Sequence, residues 1–233
     1  MSADFAKFDK RNYPTFDVIE GYRQGAPLYD EMVPGRLDLP LLESIRSIVW
    51  KDVEQCVDLG CGSGRIGVWL KEARGIPAID GVDLSPDMLA LAQQKNAYRS
   101  IVKGDVCDSG LESTRYDLGV SVLATCHMAD LGTFYGEAAR LLKRNGHFIQ
   151  IDFHPFFLVN GIPTHFPKPD GSIVAIKNFV HLLSDHFNAA ANVGLELSEF
   201  RERTVDKEWI KAKEKFAPYE HQPIGFMMVC RKR

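Results

Sequence analysis

Several things are scarce in this chain of 233 residues, and each absence excludes something. Basic residues are not in excess: 28 Lys and Arg stand against 31 Asp and Glu, for a formal net charge of −3 and a pI near 6.2. A stable DNA or RNA complex needs cations to neutralise phosphates, so nucleic-acid binding is disfavoured. The five cysteines (Cys56, Cys61, Cys107, Cys126, Cys230) form no C-x-x-C pair and show no metal-ligand spacing. They point to no metal site and to a reducing, cytoplasmic setting. No apolar run approaches the ~18 residues of a membrane span. Met1–Lys10 is polar and charged, unlike a signal peptide. The chain has no G-x-x-x-x-G-K-[ST] phosphate loop, and no tyrosine is followed by a lysine four residues later.

What is present reads as one domain of ordinary globular composition, 45% hydrophobic and 25% charged. Val53–Leu59, Pro77–Leu84 (ending in Asp83), Ser100–Asp105, Tyr116–Leu123 and His147–Phe153 read as five strands. Helices separate them. Arg65–Arg74 is one, and Ser85-Pro86-Asp87 starts another running to about Tyr98, with an N-cap, a first-turn proline and an acid. Thr133–Lys143 is a third, closed by Asn145-Gly146. A helix is also expected from Asp38, with Leu41, Ile45, Ile48 and Val49 on one face. Ser184 is expected to cap another that ends at Gly194. Leu195–Val205 and Ile224–Lys232 read as two late strands. Between them Val205, Trp209, Ala212 and Phe216 mark an amphipathic helix. Strand–helix alternation predicts a parallel sheet covered on both faces, which binds ligands beyond the carboxyl ends of its strands.

The first such end is the glycine turn "VDLGCGSGRIG", Val57–Gly67. Gly60, Gly62 and Gly64 form G-x-G-x-G after Asp58, and Gly62, Gly64 and Gly67 overlap it as the G-x-G-x-x-G of dinucleotide enzymes. Spacing alone does not choose between them. Asp83, 19 positions after Gly64, can accept two ribose hydroxyls, which suits any adenosine-bearing ligand. Asp105 can accept the adenine amino group, with Val106 against the ring. Asp58 discriminates: a carboxylate there repels a pyrophosphate and suits an ammonium group, as in S-adenosylmethionine. A nicotinamide-dependent oxidoreductase and a non-catalytic module that binds an adenosyl ligand remain the alternatives.

"VDLGCGSGRIGVWL", "IDGVDLSPDMLALA", "KGDVCD" and "YDLGVSVL…EAARLLKRNGHFIQ" together resemble the successive motifs of class I S-adenosylmethionine-dependent methyltransferases, closest to the small-molecule, type 11 or ubiquinone-biosynthesis-like branch. The likeness covers roughly residues 55–152. It implies a Rossmann-like seven-stranded, mostly parallel α/β sheet with a reversed last strand. It implies S-adenosyl-L-methionine as cofactor and S-adenosyl-L-homocysteine as product. Asp58, Gly60, Gly62 and Gly64 would hold the methionine end, Asp83 the ribose hydroxyls and Asp105 with Val106 the adenine, and Cys61, Leu84 and Met88 are further cofactor-binding candidates. "EGYRQGAPLYD" resembles the helical lid of such enzymes, with Tyr22, Tyr29 and Arg36 as candidates to line the cofactor. The expected layout is a lid over 1–50, a core over 53–153, an acceptor-covering insertion over 154–183 and a C-terminal helix and strand pair over 184–233.

The acceptor is expected to be a small, partly apolar or aromatic metabolite. The [DN]-P-P-[YFW] motif of exocyclic-amine and glutamine methylation is missing after strand four, where "SVLATCHMAD" stands. His127 in that stretch and His154 after strand five are the candidate bases. The insertion, crowded with aromatics and histidines between His154 and Phe187, reads as an acceptor cover. The Lys207–Lys215 charge run reads as the wet face of a helix. The oligomeric state is not legible.

Overall fold

The computed structural model describes residues 3–33, 35–168 and 170–233. At its centre are the strands β1 (Gln55–Leu59), β2 (Ala78–Asp83), β3 (Ser100–Lys103), β4 (Tyr116–Val122), β5 (Leu142–Phe153), β6 (Leu195–Thr204) and β7 (Pro223–Lys232). They form a single sheet in the order β6-β7-β5-β4-β1-β2-β3. β1 to β5 run parallel, and β7 is antiparallel to both β5 and β6. The expected seven-stranded sheet with its reversed last strand is therefore present. From β1 the chain winds outward through β2 to β3, then returns to β4 on the other side. That reversal opens a crevice beyond the carboxyl ends of β1 and β4.

Alternate residues of each strand feed two cores. Cys56, Leu118, Val120, Ile149, Ile151, Met227 and Val229 pack with Ile66, Trp69 and Leu70 of α3 (Arg65–Arg74) and with Leu41 and Leu42 of α2 (Leu39–Ser44). On the other face Val57, Leu59, Phe148, Phe226 and Met228 meet Phe134, Tyr135 and Ala138 of α5 (Leu131–Leu141) and Ala190 of α7 (Leu183–Asn192). α4 (Pro86–Gln94) starts as expected, the Ser85 hydroxyl accepting the Met88 N–H. α3 ends at Gly75 in the left-handed region, its N–H bonded to the Leu70 and Lys71 carbonyls.

The N-terminal segment is not simply helical. α1 (Val18–Gly25) is capped by Asp17, but Ala3–Asp4 pairs with Phe179–Val180, and Thr15–Phe16 pairs with Ala175–Ile176. His165–Pro167 completes that second small sheet. α1 lies directly on it: a Cβ at Gly21 would come within 2.7 Å of Ile176, and one at Gly25 within 2.8 Å of Phe166. The start of the chain and the 154–183 insertion are thus stitched together by two-residue pairings too short to produce a sequence period.

Other departures have local causes. α2 stops at Ser44 and Ile45 is extended, because the Glu199 carboxylate on β6 accepts the N–H groups of both Arg46 and Ser47 (2.9 and 3.0 Å). Ile48 still buries, while Val49 is exposed. α5 begins early because Asp130 caps it, and ends early because Leu142 already pairs with Tyr116. Asn145, expected to stop that helix, lies within β5 with φ 66°. Leu182, not Ser184, precedes α7, its N–H held by the Asp185 carboxylate at 2.9 Å. Only Lys207–Ala212 of the late amphipathic stretch is α-helical (α8), followed by a 3₁₀ turn over Glu214–Tyr219.

α4 ends four residues before Tyr98, which turns back under the glycine turn. A Cβ at Gly67 would sit 2.3 Å from the Tyr98 ring, and one at Gly81 would lie 3.0 Å from it. Gly67 is there for packing space. Its N–H bonds the Tyr98 hydroxyl at 3.2 Å.

Candidate active site

A cavity of about 350 Å³ opens at the crevice beyond β1, β2 and β4. The glycine turn forms its floor. Gly60 and Gly62 have φ of 81° and 52°, conformations that side chains resist. The Gly60 and Cys61 N–H groups both bond the Val82 carbonyl, tying the turn to the end of β2. The Asp83 carboxylate accepts the N–H of Gly62 through one oxygen and of Ser85 through the other, both at 2.8 Å. Burial raises its pKa and these backbone bonds oppose the rise.

Of the residues singled out in the sequence, Gly60, Gly62, Asp83, Leu84, Met88, Asp105, Val106, Tyr22, Tyr29 and His127 all line this one cavity. Four others do not. Gly64 packs on Ala92 and Tyr98, and Cys61 is buried with its Sγ beside Gly81. His154 is a helix cap: its Nδ1 accepts the Phe156 N–H (3.1 Å) at the start of α6 (Pro155–Val159), and Nε2 bonds Glu202 (2.8 Å). Asp58 lies beneath the turn, 1% exposed, where its carboxyl accepts the Tyr98 hydroxyl at 2.7 Å.

That placement changes what Asp58 does. Burial pushes its pKa from 3.8 up to about 7, with the Tyr98 hydroxyl pulling the other way. A carboxyl held there titrates close to neutrality. The folded state holds a proton that the unfolded chain has released between these values, so stability falls as pH rises from about 4 to about 7. The full difference is worth about 4 kcal/mol. Asp58→Asn should therefore flatten this slope, gaining stability relative to wild type at about pH 8 and not at about pH 4. Urea unfolding at both values checks it, and parallel pH profiles for the two proteins would contradict it.

The cavity wall carries carboxylates of its own. Asp83, Asp105 and Asp130 line it, and none of its lining residues is a lysine or arginine. Asp130, not singled out from the sequence, is held ionised by hydrogen bonds from Thr133 and the Gly132 N–H. Three carboxylates with no basic partner repel a pyrophosphate and favour a cation.

His127 sits in the same wall. Its Nδ1 is 2.9 Å from the Lys177 carbonyl, which only accepts, so Nδ1 carries the hydrogen. Nε2 then accepts the Tyr22 hydroxyl at 2.9 Å. Burial lowers the His127 pKa below 6.5 and raises that of Tyr22, so both are neutral at pH 7. The loop that carries His127 is fixed by Asp152, a buried acid on β5 that accepts from the Thr125 hydroxyl and the Cys126 N–H. Nothing in the sequence marked Asp152, because its partners lie 26 and 27 residues away.

A second cavity, of about 490 Å³, adjoins the first. Tyr22, Tyr29 and Leu123 line both. Leu123 holds φ 58°, a strained conformation for a branched side chain, at the junction of the two spaces. The insertion supplies Ile162, Pro163, His165, Phe166 and Ile173 to the second cavity, and α6 supplies Phe157. Ion pairs hold the N-terminal segment over both: Asp30 with Lys95 at 2.6 Å, and buried Asp38 with Arg65. Among the described residues no helix is long and apolar enough to cross a membrane, and no group of His, Cys, Asp and Glu is arranged to hold a metal ion.

Comparison with known proteins agrees with this architecture. Residues 57–150 match the methyltransferase domain family. A 2-phytyl-1,4-naphtoquinone methyltransferase of Trichormus variabilis is 28% identical over 140 residues, 55% of this chain and 61% of that protein. An uncharacterized methyltransferase of Emericella nidulans is 26% identical, over 89% of this chain and 87% of its own length. In several other curated relatives the match spans only a quarter to three fifths of their length. The crystal structure of an S-adenosylmethionine-dependent methyltransferase from Mesorhizobium loti superposes with a TM-score of 0.69 at 21% identity, over 86% of this chain and all of that one. The family match is thus confined to residues 57–150, and the fold is that of the S-adenosylmethionine-dependent methyltransferase structure from Mesorhizobium loti.

Proposed function

We propose that the chain binds S-adenosyl-L-methionine in the first cavity and transfers its methyl group to a small, partly apolar acceptor in the second, releasing S-adenosyl-L-homocysteine. The observation that carries this reading is the pair of cavities with a common wall of Tyr22, Tyr29 and Leu123, one acid-lined and the other largely apolar.

The residues present fit the cofactor. A Cβ at Gly60 would come within 2.9 Å of the Ala124 Cβ, so the turn keeps open a cradle that a side chain would fill. Asp83 spends one lone pair of each oxygen on the backbone and keeps the others for two ribose hydroxyls. Asp105 with Val106, Leu84 and Met88 would hold the adenine and ribose side. When bound, the cofactor supplies a methyl group made electrophilic by a sulfonium. The protein's work is then mainly alignment, which can supply about 7–11 kcal/mol.

Where the acceptor atom carries a proton, Tyr22 and His127 move it. The Tyr22 oxygen takes the proton while its own passes to His127 Nε2, and the imidazolium formed keeps its Nδ1–H on the Lys177 carbonyl. The insertion and the N-terminal segment exclude water from the reacting atoms.

The experiment is incubation of the protein with methyl-labelled cofactor and metabolite extracts. Label in an organic-extractable small molecule, dependent on Asp83, is expected. Label that appears only in protein or nucleic acid, or nowhere, would refute small-molecule transfer.

A further inference from the structure

The second cavity carries an asymmetry of charge that complements the first. Its body is apolar and aromatic, with Phe153, Phe157, Phe166 and Phe216 among its walls. Its basic side chains are Arg36, Lys213 and Lys215. The carboxylate that shares this lining, Asp38, is fully buried and already paired with Arg65. Among the described residues, no carboxylate forms an ion pair with any of the three cations.

Three cations without a counter-ion border an apolar space, two of them exposed and one half-buried. Lys213 is half-buried and spends its ammonium on the Met32 carbonyl at 2.9 Å. Its pKa is lowered by burial and by the neighbouring Lys215 and Arg36. Trp209 adds a buried aromatic face to the same wall. It is 7% exposed, and its indole N–H is sealed from solvent away from the cavity.

We propose that the methyl acceptor is an apolar, ring-bearing or chain-bearing molecule with an anionic group, a carboxylate or a phosphate, held by Arg36, Lys213 and Lys215. The proposal rests on the methyltransferase reading for the word acceptor, though not for the site. The anion belongs beside the three cations, and the atom to be methylated at the wall of Tyr22, Tyr29 and Leu123. Acid-lined and base-lined cavities on either side of one wall also sort the two ligands: each charge is repelled from the wrong space.

The test uses four soluble probes of one ring size: 2-naphthoate, 2-naphthyl phosphate, 2-naphthol and 2-naphthylmethylammonium. Quenching of tryptophan fluorescence follows their binding, since Trp209 is in the wall. A charge-assisted contact worth about 1.5–3 kcal/mol gives one of the anions an advantage of about tenfold to a hundredfold over the neutral and cationic probes. The comparison of carboxylate with phosphate identifies which anion the site takes. The advantage should shrink with added salt and disappear in the Arg36→Gln/Lys215→Gln pair, which changes two exposed side chains. Lys213→Gln should act in the same direction. Equal binding of all four probes, binding of none, or variants that keep the anion preference would overturn the proposal. S-adenosylhomocysteine is titrated calorimetrically into the same samples. If it binds and the anion preference is absent, the anion site fails alone. If it does not bind and the preference is present, the methyltransferase reading fails alone.

Discussion

Asp83→Ala is expected to weaken S-adenosylmethionine binding by tenfold at least and, with both ribose hydroxyls lost, by more than a hundredfold. Hydrogen bonds to a charged group are worth about 1.5–3 kcal/mol each, and each 1.4 kcal/mol is a factor of ten. The loss has a second source inside the protein. Asp83 also holds the Gly62 and Ser85 N–H groups, so the alanine leaves the glycine turn without its tether. Asp83→Asn separates the two contributions: its amide oxygen can hold only one of these N–H groups, and its NH₂ cannot accept a ribose hydroxyl. It should fall between alanine and wild type. Calorimetric titration of variants whose melting curves show them folded gives the answer. A folded alanine variant that binds the cofactor as wild type does would remove Asp83 from the site.

The second large effect is expected at the Tyr22–His127 pair, on rate far more than on cofactor affinity. His127→Ala should lower kcat by about 10²–10⁴ for an acceptor that loses a proton, the usual contribution of a positioned base. Tyr22→Phe removes only the hydroxyl and breaks the same path. Both residues line the cofactor cavity without touching the glycine turn or Asp83, so kcat should fall by far more than the affinity for S-adenosylhomocysteine. The pH profile is the sharper readout. The working form of His127 is neutral, and burial lowers its pKa below the ordinary 6.5. Activity should be level across neutral pH and fall only as pH drops below that value. A limb above 6.5 that vanishes in His127→Ala would contradict the assignment. An acceptor with no proton to lose would leave both variants active, and transfer would then rest on alignment alone.

The sheet was legible because its signals are local. Apolar strands end in a glycine or an acid, and helices start at a visible cap, so β1 to β4 and α3 fall within a residue or two of their sequence bounds. The first cavity was legible for the same reason: Gly60, Gly62, Asp83 and Asp105 each sit just past a strand, and the fold gathers strand ends. What escaped depends on partners far along the chain. Tyr98 reads as the tail of a helix, yet it locks Asp58 from 40 residues away. Asp58 reads as a surface charge beside the ligand because sequence does not give depth, and burial converts it into a titrating acid. His154 stands where a base could stand, but the short helix after it needed a cap and Glu202 took its other nitrogen. Lys213 and Lys215 read as the wet side of a helix. The chain leaves α8 before reaching them and carries both to the second cavity.

The most direct test of the account is calorimetric titration of the wild-type protein with S-adenosylmethionine and, separately, with NADH. The acid-lined cavity predicts saturable binding of S-adenosylmethionine at one site per chain and no binding of NADH, whose pyrophosphate meets Asp83, Asp105 and Asp130 with no lysine or arginine to balance them. No heat with S-adenosylmethionine at about millimolar concentration, or NADH binding of equal affinity, would contradict it.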